Sequence, residues 1–437
     1  MKTFLQPLQN LAEMEEIQKQ AKKNCGILEI SGCMESQKAH LMYGLSGLFP
    51  SHLVIAADEK TAKDLYEDYR FYDKRVYYYP AKDLLFFQAD IHGNLLIRQR
   101  MQVIRALLER QEEITVVTSI DGCMDYLAPL EKIEKQLIHF RNDSTLDMDK
   151  LTAALVHMGY ERVGQVEMPG QFSIRGGIID IYSLTEENPW RIELWGDEID
   201  SIRSFDAQSQ RSLENLDDVT IYPAAEQPME KNGVSFLDYF KETETLFFLD
   251  ELNHLEENAK AVQEEFQQSC ENRKEKGEIS LSGDWMCTWE ELCHKINDRN
   301  CVAMSLLDPK KSNWKISGQF NITVKSMSSY QSSFELLVKD LKQYKKEGYQ
   351  IVLLSGSRTR AERLAKDLQE EGLNAFYGQD SDRILQPGEI MVAYGHARRG
   401  FEYPLVKFAV ITETDIFGKE QKKRKKKKEY NGKRIQD

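Results

Sequence analysis

The first third of the chain repeats one pattern, in which a short run of apolar residues is followed by a stretch with helical periodicity. Between Gly26 and about Leu130 the apolar runs read ILEIS, HLVIAA, RVYYYP and ITVVTS. Strands that alternate with helices are typical of a parallel sheet with helices packed on its faces. The pattern therefore predicts an α/β fold for residues 1–136.

The pattern changes further along the chain. Residues 137–222 carry short alternating strands separated by glycine turns, which indicates an inserted, mostly β domain. The α/β pattern returns over 223–330 and completes the first domain, 331–418 form a second, small α/β domain, and 419–437 form a basic linker. The expected fold class is a parallel-sheet α/β domain with an inserted β-rich domain, followed by a small α/β domain.

The run ILEIS leads into a segment, Gly32 to Ala39, with the outline of a phosphate-binding loop. A working loop reads GxxxxGK[ST]: glycines let backbone N–H groups surround the phosphates, lysine reaches the β and γ phosphates, and the hydroxyl holds Mg²⁺. Gly32 and Lys38 stand in register, but Gln37 replaces the second glycine and Ala39 replaces the hydroxyl residue. We therefore expect a structural strand-to-helix turn with greatly weakened nucleotide binding and no hydrolysis.

Two adjacent carboxylates, Asp250 and Glu251, follow the apolar run TLFFL. A carboxylate at the end of a buried strand holds Mg²⁺ in many phosphate sites. Such residues are also common at strand ends without any metal, and the damaged loop favours that structural interpretation. We expect no catalytic residue in this chain.

The β-rich domain carries a different signal, formed by Arg175, Arg191 and Trp195. Arg191 and Trp195 are four residues apart, and side chains an even number of strand positions apart share one face of a sheet. Arginine and tryptophan are the residue types that most often anchor protein interfaces. This face is a candidate partner-binding surface, and a sheet surface with incidental charge is the alternative.

Charge and cysteine content exclude several functions. The net charge is −13, and because 419–437 hold ten Lys/Arg and three Asp/Glu, the remainder has 48 Lys/Arg and 68 Asp/Glu, a net −20. An acidic body repels phosphate backbones, so we expect at most weak DNA contact through the basic tail. The seven scattered cysteines lack metal-ligand spacing and indicate free thiols, no metal and a reducing cytoplasm. No apolar run is long enough for a membrane span.

Two long segments, GQFSIRGGIIDIYSLTEENPWRIELWGDEIDSIRSFDAQSQRS at 170–212 and GFEYPLVKFAVITETDIFG at 400–418, closely resemble the bacterial transcription-repair coupling factors. The resemblance implies a module similar to the excision-repair protein UvrB, with the β domain inserted into a degenerate helicase-like domain. It implies that Arg175, Arg191 and Trp195 contact UvrA. Gly32, Lys38, Asp250 and Glu251 are then remnants of a nucleotide site.

The same resemblance sets expectations about what the chain does. We expect a non-catalytic, monomeric module that recruits UvrA to RNA polymerase stalled at DNA damage. Family members also contain an RNA-polymerase-interacting domain and a translocase that uses ATP and Mg²⁺ on double-stranded DNA, and we expect those to lie outside this sequence. About a dozen residues after YYYP leave no room for the DNA-clamping hairpin of UvrB. The rival interpretation is a UvrB-like, ATP-dependent subunit that processes damaged DNA.

Overall fold

The computed structural model describes residues 1–23, 26–82, 93–109, 113–226, 233–276, 286–307, 314–378 and 382–418. The chain divides into two compact units, Met1–Val324 and Lys325–Asp437. Among the described residues, no helix is both long and apolar enough to cross a bilayer. The basic segment 419–437 and most of the short connection after YYYP lie outside the described residues, so both expectations about them stay predictions.

The first unit is built on a parallel sheet whose strands are almost entirely buried except at one edge. Its strands are β1 Ile27–Ser31, β2 Ser51–Ala56, β3 Val76–Tyr79, β4 Ile114–Ser119, β13 Thr245–Asp250, β14 Cys301–Ser305 and β15 Ile316–Asn321. Their spatial order is β15-β1-β14-β13-β2-β4-β3, with every pairing parallel. Strands covered on both faces read as mostly apolar runs, as β1 to β4, β13 and β14 do, whereas β15 at the edge of the sheet is mostly exposed.

Helices accompany this sheet, and two of them begin at recognisable capping residues. They are α1 Lys2–Gln9, α2 Met14–Ala21, α3 Glu35–Ser46, α4 Glu59–Tyr69, α5 Gly93–Leu108, α6 Leu130–Glu134, α8 Leu252–Glu275 and α9 Trp289–Asn297. The Asp58 carboxylate accepts from the Thr61 N–H at the start of α4, and Thr288 and Glu291 form a capping box at the start of α9. Such caps satisfy N–H groups that have no partner within the helix.

The inserted β-rich domain is a second sheet, closed on one side by α7 Met148–His157. The strands of the domain are β5 Ile138–Arg141, β6 Glu161–Arg162, β7 Gln171–Arg175, β8 Ile178–Ile181, β9 Trp190–Trp195, β10 Glu198–Phe205, β11 Ser212–Leu216 and β12 Asp218–Ile221. Six of these strands form the sheet β11-β10-β9-β8-β7-β6, and β12 pairs with β5. Phe172, Ile179, Ile192 and Leu155 contribute to the core beneath the sheet.

The second unit has its own core and a mixed sheet in the order β16-β20-β21-β17-β19-β18. Its strands and helices are β16 Lys325–Ser326, α10 Phe334–Glu347, β17 Gln350–Ser355, α11 Arg358–Glu370, β18 Ala375–Tyr377, β19 Ile390–Tyr394, β20 Phe401–Tyr403, β21 Phe408–Thr412 and α12 Glu413–Phe417. Strands β21, β17, β19 and β18 run parallel. The predicted fold class is thereby confirmed.

Candidate functional site

Arg175, Arg191 and Trp195 lie on the surface of the six-stranded sheet that faces away from its core. On β9 the alternation is regular, so Trp190 and Ile192 face the core while Arg191 and Trp195 face outward. Arg175 ends β7, two strands away, because β8 lies between β7 and β9. We call this surface, formed by Arg175, Arg191, Trp195 and the residues between them, the arginine face.

Asp180 on β8 is the residue that holds the two arginines together. It pairs directly with Arg191 in the strand register, and its side chain is fully buried. Its Oδ1 accepts from Arg191 Nε at 2.7 Å, and its Oδ2 accepts from Arg191 Nη2 at 2.9 Å and from Arg175 Nη2 at 2.7 Å. A bidentate arginine–carboxylate pair is strong and fixes the plane of the guanidinium. One buried carboxylate therefore sets the positions of both arginines.

Arg191 is the rigid member of the pair. Its guanidinium lies 4.4 Å from the centre of the Phe205 ring, and its Nη2 also donates to Gln210 Oε1 at 3.0 Å. The hydrogen bonds with Asp180 raise the pKa of Arg191. Its side chain is 15% exposed, whereas that of Arg175 is 48% exposed. Arg191 thus forms a fixed base for the face, and Arg175 reaches into solvent.

Trp195 is 83% exposed at the end of β9, an unusual position for the largest apolar side chain. Between it and Arg191, Glu193 forms an ion pair with Arg203 of β10 and accepts from Ser201 Oγ at 3.3 Å. Sequence reasoning missed Asp180, Glu193 and Arg203. The outward positions of these neighbouring strands carry opposite charges, and this pattern is present in the sequence. Which of the charged residues pair could be recognised only once the strand register was known.

The phosphate-loop segment forms a strand-to-helix turn in which the N–H groups of Gly32, Cys33 and Met34 already have partners. Gly32 has a positive φ of 81°, and its N–H donates to Leu306 O at 3.2 Å. The Cys33 N–H donates to the carbonyl at the end of β14, Ser305 O, at 3.0 Å. Gln37, which stands in place of the second glycine, accepts from the Met34 N–H through Oε1 at 3.0 Å. These N–H groups would have to break such bonds before they could bind a phosphate.

Lys38 is held by the two carboxylates that follow β13. Its Nζ lies 2.6 Å from Asp250 Oδ1 and 2.6 Å from Glu251 Oε1, and both Lys38 and Asp250 are buried. Burial opposes the charge of Lys38, but the two carboxylates outweigh it and raise its pKa above the ordinary value. The structure thus brings together the four predicted remnants of a nucleotide site, with the lysine neutralised internally.

The cysteines and most of the tyrosines of the run YYYP are buried among the described residues. No group of three or more His, Cys, Asp or Glu side chains with metal-binding geometry occurs there. Cys287 and Cys293 are buried, whereas His294 is exposed and lies 3.2 Å from Asp298. In the run YYYP, Tyr79 is buried and stacks on Phe236 at 3.7 Å between ring centres.

Comparison with known proteins relates the β-rich domain to a known domain family. A family model described as the UvrB interaction domain matches residues 138–226. A transcription-repair-coupling factor of Bacillus subtilis strain 168 is 30% identical over 93% of this chain and 40% of the relative's length. The corresponding proteins of Staphylococcus haemolyticus and Staphylococcus aureus strain MRSA252 are 26% and 24% identical, over 80% and 81% of this chain and 34% and 35% of their own lengths.

The chain thus spans about two fifths or less of the length of these relatives. Relatives that share one name align with most of this chain, and the domain match falls on the sheet that carries the arginine face. The chain is therefore similar over most of its length to part of the transcription-repair-coupling factors, and its residues 138–226 match the UvrB interaction domain.

Proposed function

We propose that this chain recruits the excision-repair protein UvrA in transcription-coupled repair, and that the arginine face is the surface to which UvrA binds. The observation that carries the proposal is the geometry around Asp180, which holds Arg175 and Arg191 on the face that also exposes Trp195. The names of the relatives and of the matching domain also support a role in transcription-coupled repair.

The energetics of the face suit a protein partner. Interface anchors are enriched in tryptophan and arginine, and a few such residues carry most of the binding free energy. Burying the Trp195 side chain in a partner's pocket would remove a large, exposed apolar surface from water. Arg175, half exposed, retains donors that can reach a carboxylate or carbonyl of UvrA. Because Arg191 is already fixed, little conformational entropy is lost there on binding.

We further propose that the chain itself does not hydrolyse ATP. The N–H groups of Gly32, Cys33 and Met34 already donate within the protein, and Lys38 is paired with Asp250 and Glu251. A nucleotide would have to displace these interactions without the glycine and hydroxyl that a working loop supplies. RNA polymerase, double-stranded DNA, ATP and Mg²⁺ are proposed as components of the wider repair reaction rather than ligands of this site.

A hydrogen-exchange footprint tests where UvrA binds. Peptides covering β7 to β10 are compared in the free chain and in the presence of purified UvrA. We expect protection on these strands, with none on α11 of the second unit, and we expect Trp195→Ala to reduce it. Unchanged exchange on β7 to β10 while UvrA is bound elsewhere would contradict the proposed surface.

A further inference from the structure

The second unit, residues 325–418, has no role in the proposed UvrA interaction, yet three of its strand ends form a rigid platform. The carboxyl ends of β21, β17 and β19 lie side by side because these parallel strands are neighbours. The Gly395 N–H donates to Ser355 O at 3.0 Å and the Gly356 N–H donates to Glu413 Oε2 at 2.8 Å. The Gly400 N–H donates to Asp415 Oδ2 at 2.7 Å. Open α/β sheets bind ligands at this edge.

Positive charge is concentrated on the platform. The unit has 13 Lys/Arg and 13 Asp/Glu over residues 325–418, so its formal net charge is zero. Four of its six arginines lie on the loops and helix start at this edge, together with one histidine and one tyrosine. We call this set the basic edge: Arg358, Arg360, Tyr394, His396, Arg398 and Arg399.

Two carboxylates that the structure describes at the basic edge, Glu413 and Asp415, are engaged within the platform. Glu413 accepts from Gly356 and forms an ion pair with Arg360 at 2.5 Å, while Asp415 is buried and accepts from Gly400 and Thr412. Set against the four arginines, these two described carboxylates leave the named groups with a net positive charge of two. The N-terminus of α11, a 13-residue helix, adds positive potential at the same place.

An aromatic ring stands among these charges. Tyr394, the last residue of β19, is 53% exposed, and the guanidinium carbon of Arg358 lies 5.7 Å from its ring centre. Arginine pairs with phosphates, and an exposed aromatic ring stacks on nucleobases of any sequence. A basic surface with an exposed aromatic ring is the combination that binds single-stranded nucleic acid without sequence preference, and we take the ring as the feature that favours this class of ligand.

We propose that the basic edge binds single-stranded nucleic acid, with phosphates on the arginines and a base stacked on Tyr394. DNA and RNA share this phosphate and base chemistry, and the geometry contains no feature that selects between them. The binding is local, because the acidic remainder of the chain repels a polynucleotide over most of its surface. It is independent of the proposed contact with UvrA.

The test measures binding of the full chain to labelled oligothymidine and oligouridine of twelve nucleotides. Binding is measured by fluorescence anisotropy at several salt concentrations. We expect Arg358→Ala/Tyr394→Ala to weaken binding at least tenfold and to lower the slope of log affinity against log salt by about 0.7. Tyr394→Phe should bind like the parent chain because the stacking ring remains. The matched control, Arg363→Ala/Lys366→Ala, removes two charges further along α11 and should change affinity less than twofold.

A second measurement separates the basic edge from the lysine-rich segment 419–437. Oligonucleotides carrying a photoreactive base are crosslinked to the full chain, and the crosslinked peptides are identified by mass spectrometry. We expect crosslinks at Tyr394 and its neighbours on 394–399 with DNA, RNA or both. Crosslinks confined to 419–437, equal affinity of the double variant and the parent chain, or binding of an acidic peptide in place of the oligonucleotides would overturn the proposal.

Discussion

Removing the carboxyl group of Asp180 tests how the arginine face is organised. Asp180 is fully buried and forms three charge-assisted hydrogen bonds, two with Arg191 and one with Arg175. Breaking a buried ion pair by removing one partner costs about 3–5 kcal/mol. Arg191 is 15% exposed and can partly rehydrate, and the half-exposed Arg175 contributes little. For Asp180→Ala we therefore expect the free energy of unfolding of the β-rich domain to fall by about 3 kcal/mol.

The assay is urea unfolding with hydrogen exchange of peptides over 171–205 as the domain-specific readout. UvrA affinity is measured alongside, under conditions where the variants are at least 95% folded. We expect Asp180→Ala and Asp180→Asn to bind UvrA at least tenfold more weakly, because the guanidinium groups lose their fixed orientation. Asp200→Asn, an exposed carboxylate on β10, serves as the matched control. A decrease of less than about 0.5 kcal/mol in the free energy of unfolding of Asp180→Ala, the ordinary range for a surface substitution, would refute this role of Asp180.

The remaining predictions concern the α/β domain. Burial lowers the pKa of His40 and of His52 from 6.5 to about 4. As the pH falls, the histidines therefore bind protons in the unfolded state before they do so in the folded state. The free energy of unfolding is highest above pH 6.5 and decreases between about pH 6.5 and 4. At pH 5.5 the loss is about 1 kcal/mol for each histidine. Lys38→Met should destabilise the domain by about 3–5 kcal/mol, because it leaves Asp250 and Glu251 without their cation. Millimolar ATP with Mg²⁺ should leave the thermal midpoint of the parent chain unchanged.

Each of these predictions has its own control. His40→Gln should flatten the dependence of the urea midpoint on pH, and an unchanged slope would contradict the assignment. Lys63→Met removes an exposed lysine on α4 and should change stability by less than about 0.5 kcal/mol. A large thermal stabilisation by ATP would favour the UvrB-like ATPase, since a ligand at 100 times its Kd adds about 2.7 kcal/mol.

The parallel sheet could be predicted from sequence because its strands carry their signal locally. Runs such as ILEIS and TLFFL are mostly apolar and fully buried, a composition typical of strands that are covered on both faces. Strand β15 could not be predicted in this way. Its sequence, ISGQFN, is mostly exposed at the edge of the sheet, so burial leaves no periodic pattern to detect.

The candidate site could be predicted only in part, because only some of its residues are related within a single strand. Arg191 and Trp195 lie on one strand, so their shared face follows from the two-residue period. The link from Arg191 to Asp180 and Arg175 crosses strands, and it depends on a register that turns and core packing set together. The pairing of Lys38 with Asp250 likewise joins residues 212 positions apart. The substitutions in the loop indicated that the phosphate-binding site is damaged, but they did not indicate which groups pair with Lys38.

The most direct test of the central claim is the affinity of purified UvrA for the chain, measured by calorimetry for the parent and for Arg175→Ala/Arg191→Ala. Truncation of interface anchors costs about 2 kcal/mol or more each, so the account predicts a loss of at least 100-fold. Arg141→Ala/Arg162→Ala, which removes two exposed arginines elsewhere in the same domain, should bind like the parent. Equal binding by the Arg175/Arg191 variant, or no binding by the folded parent chain, would contradict the account.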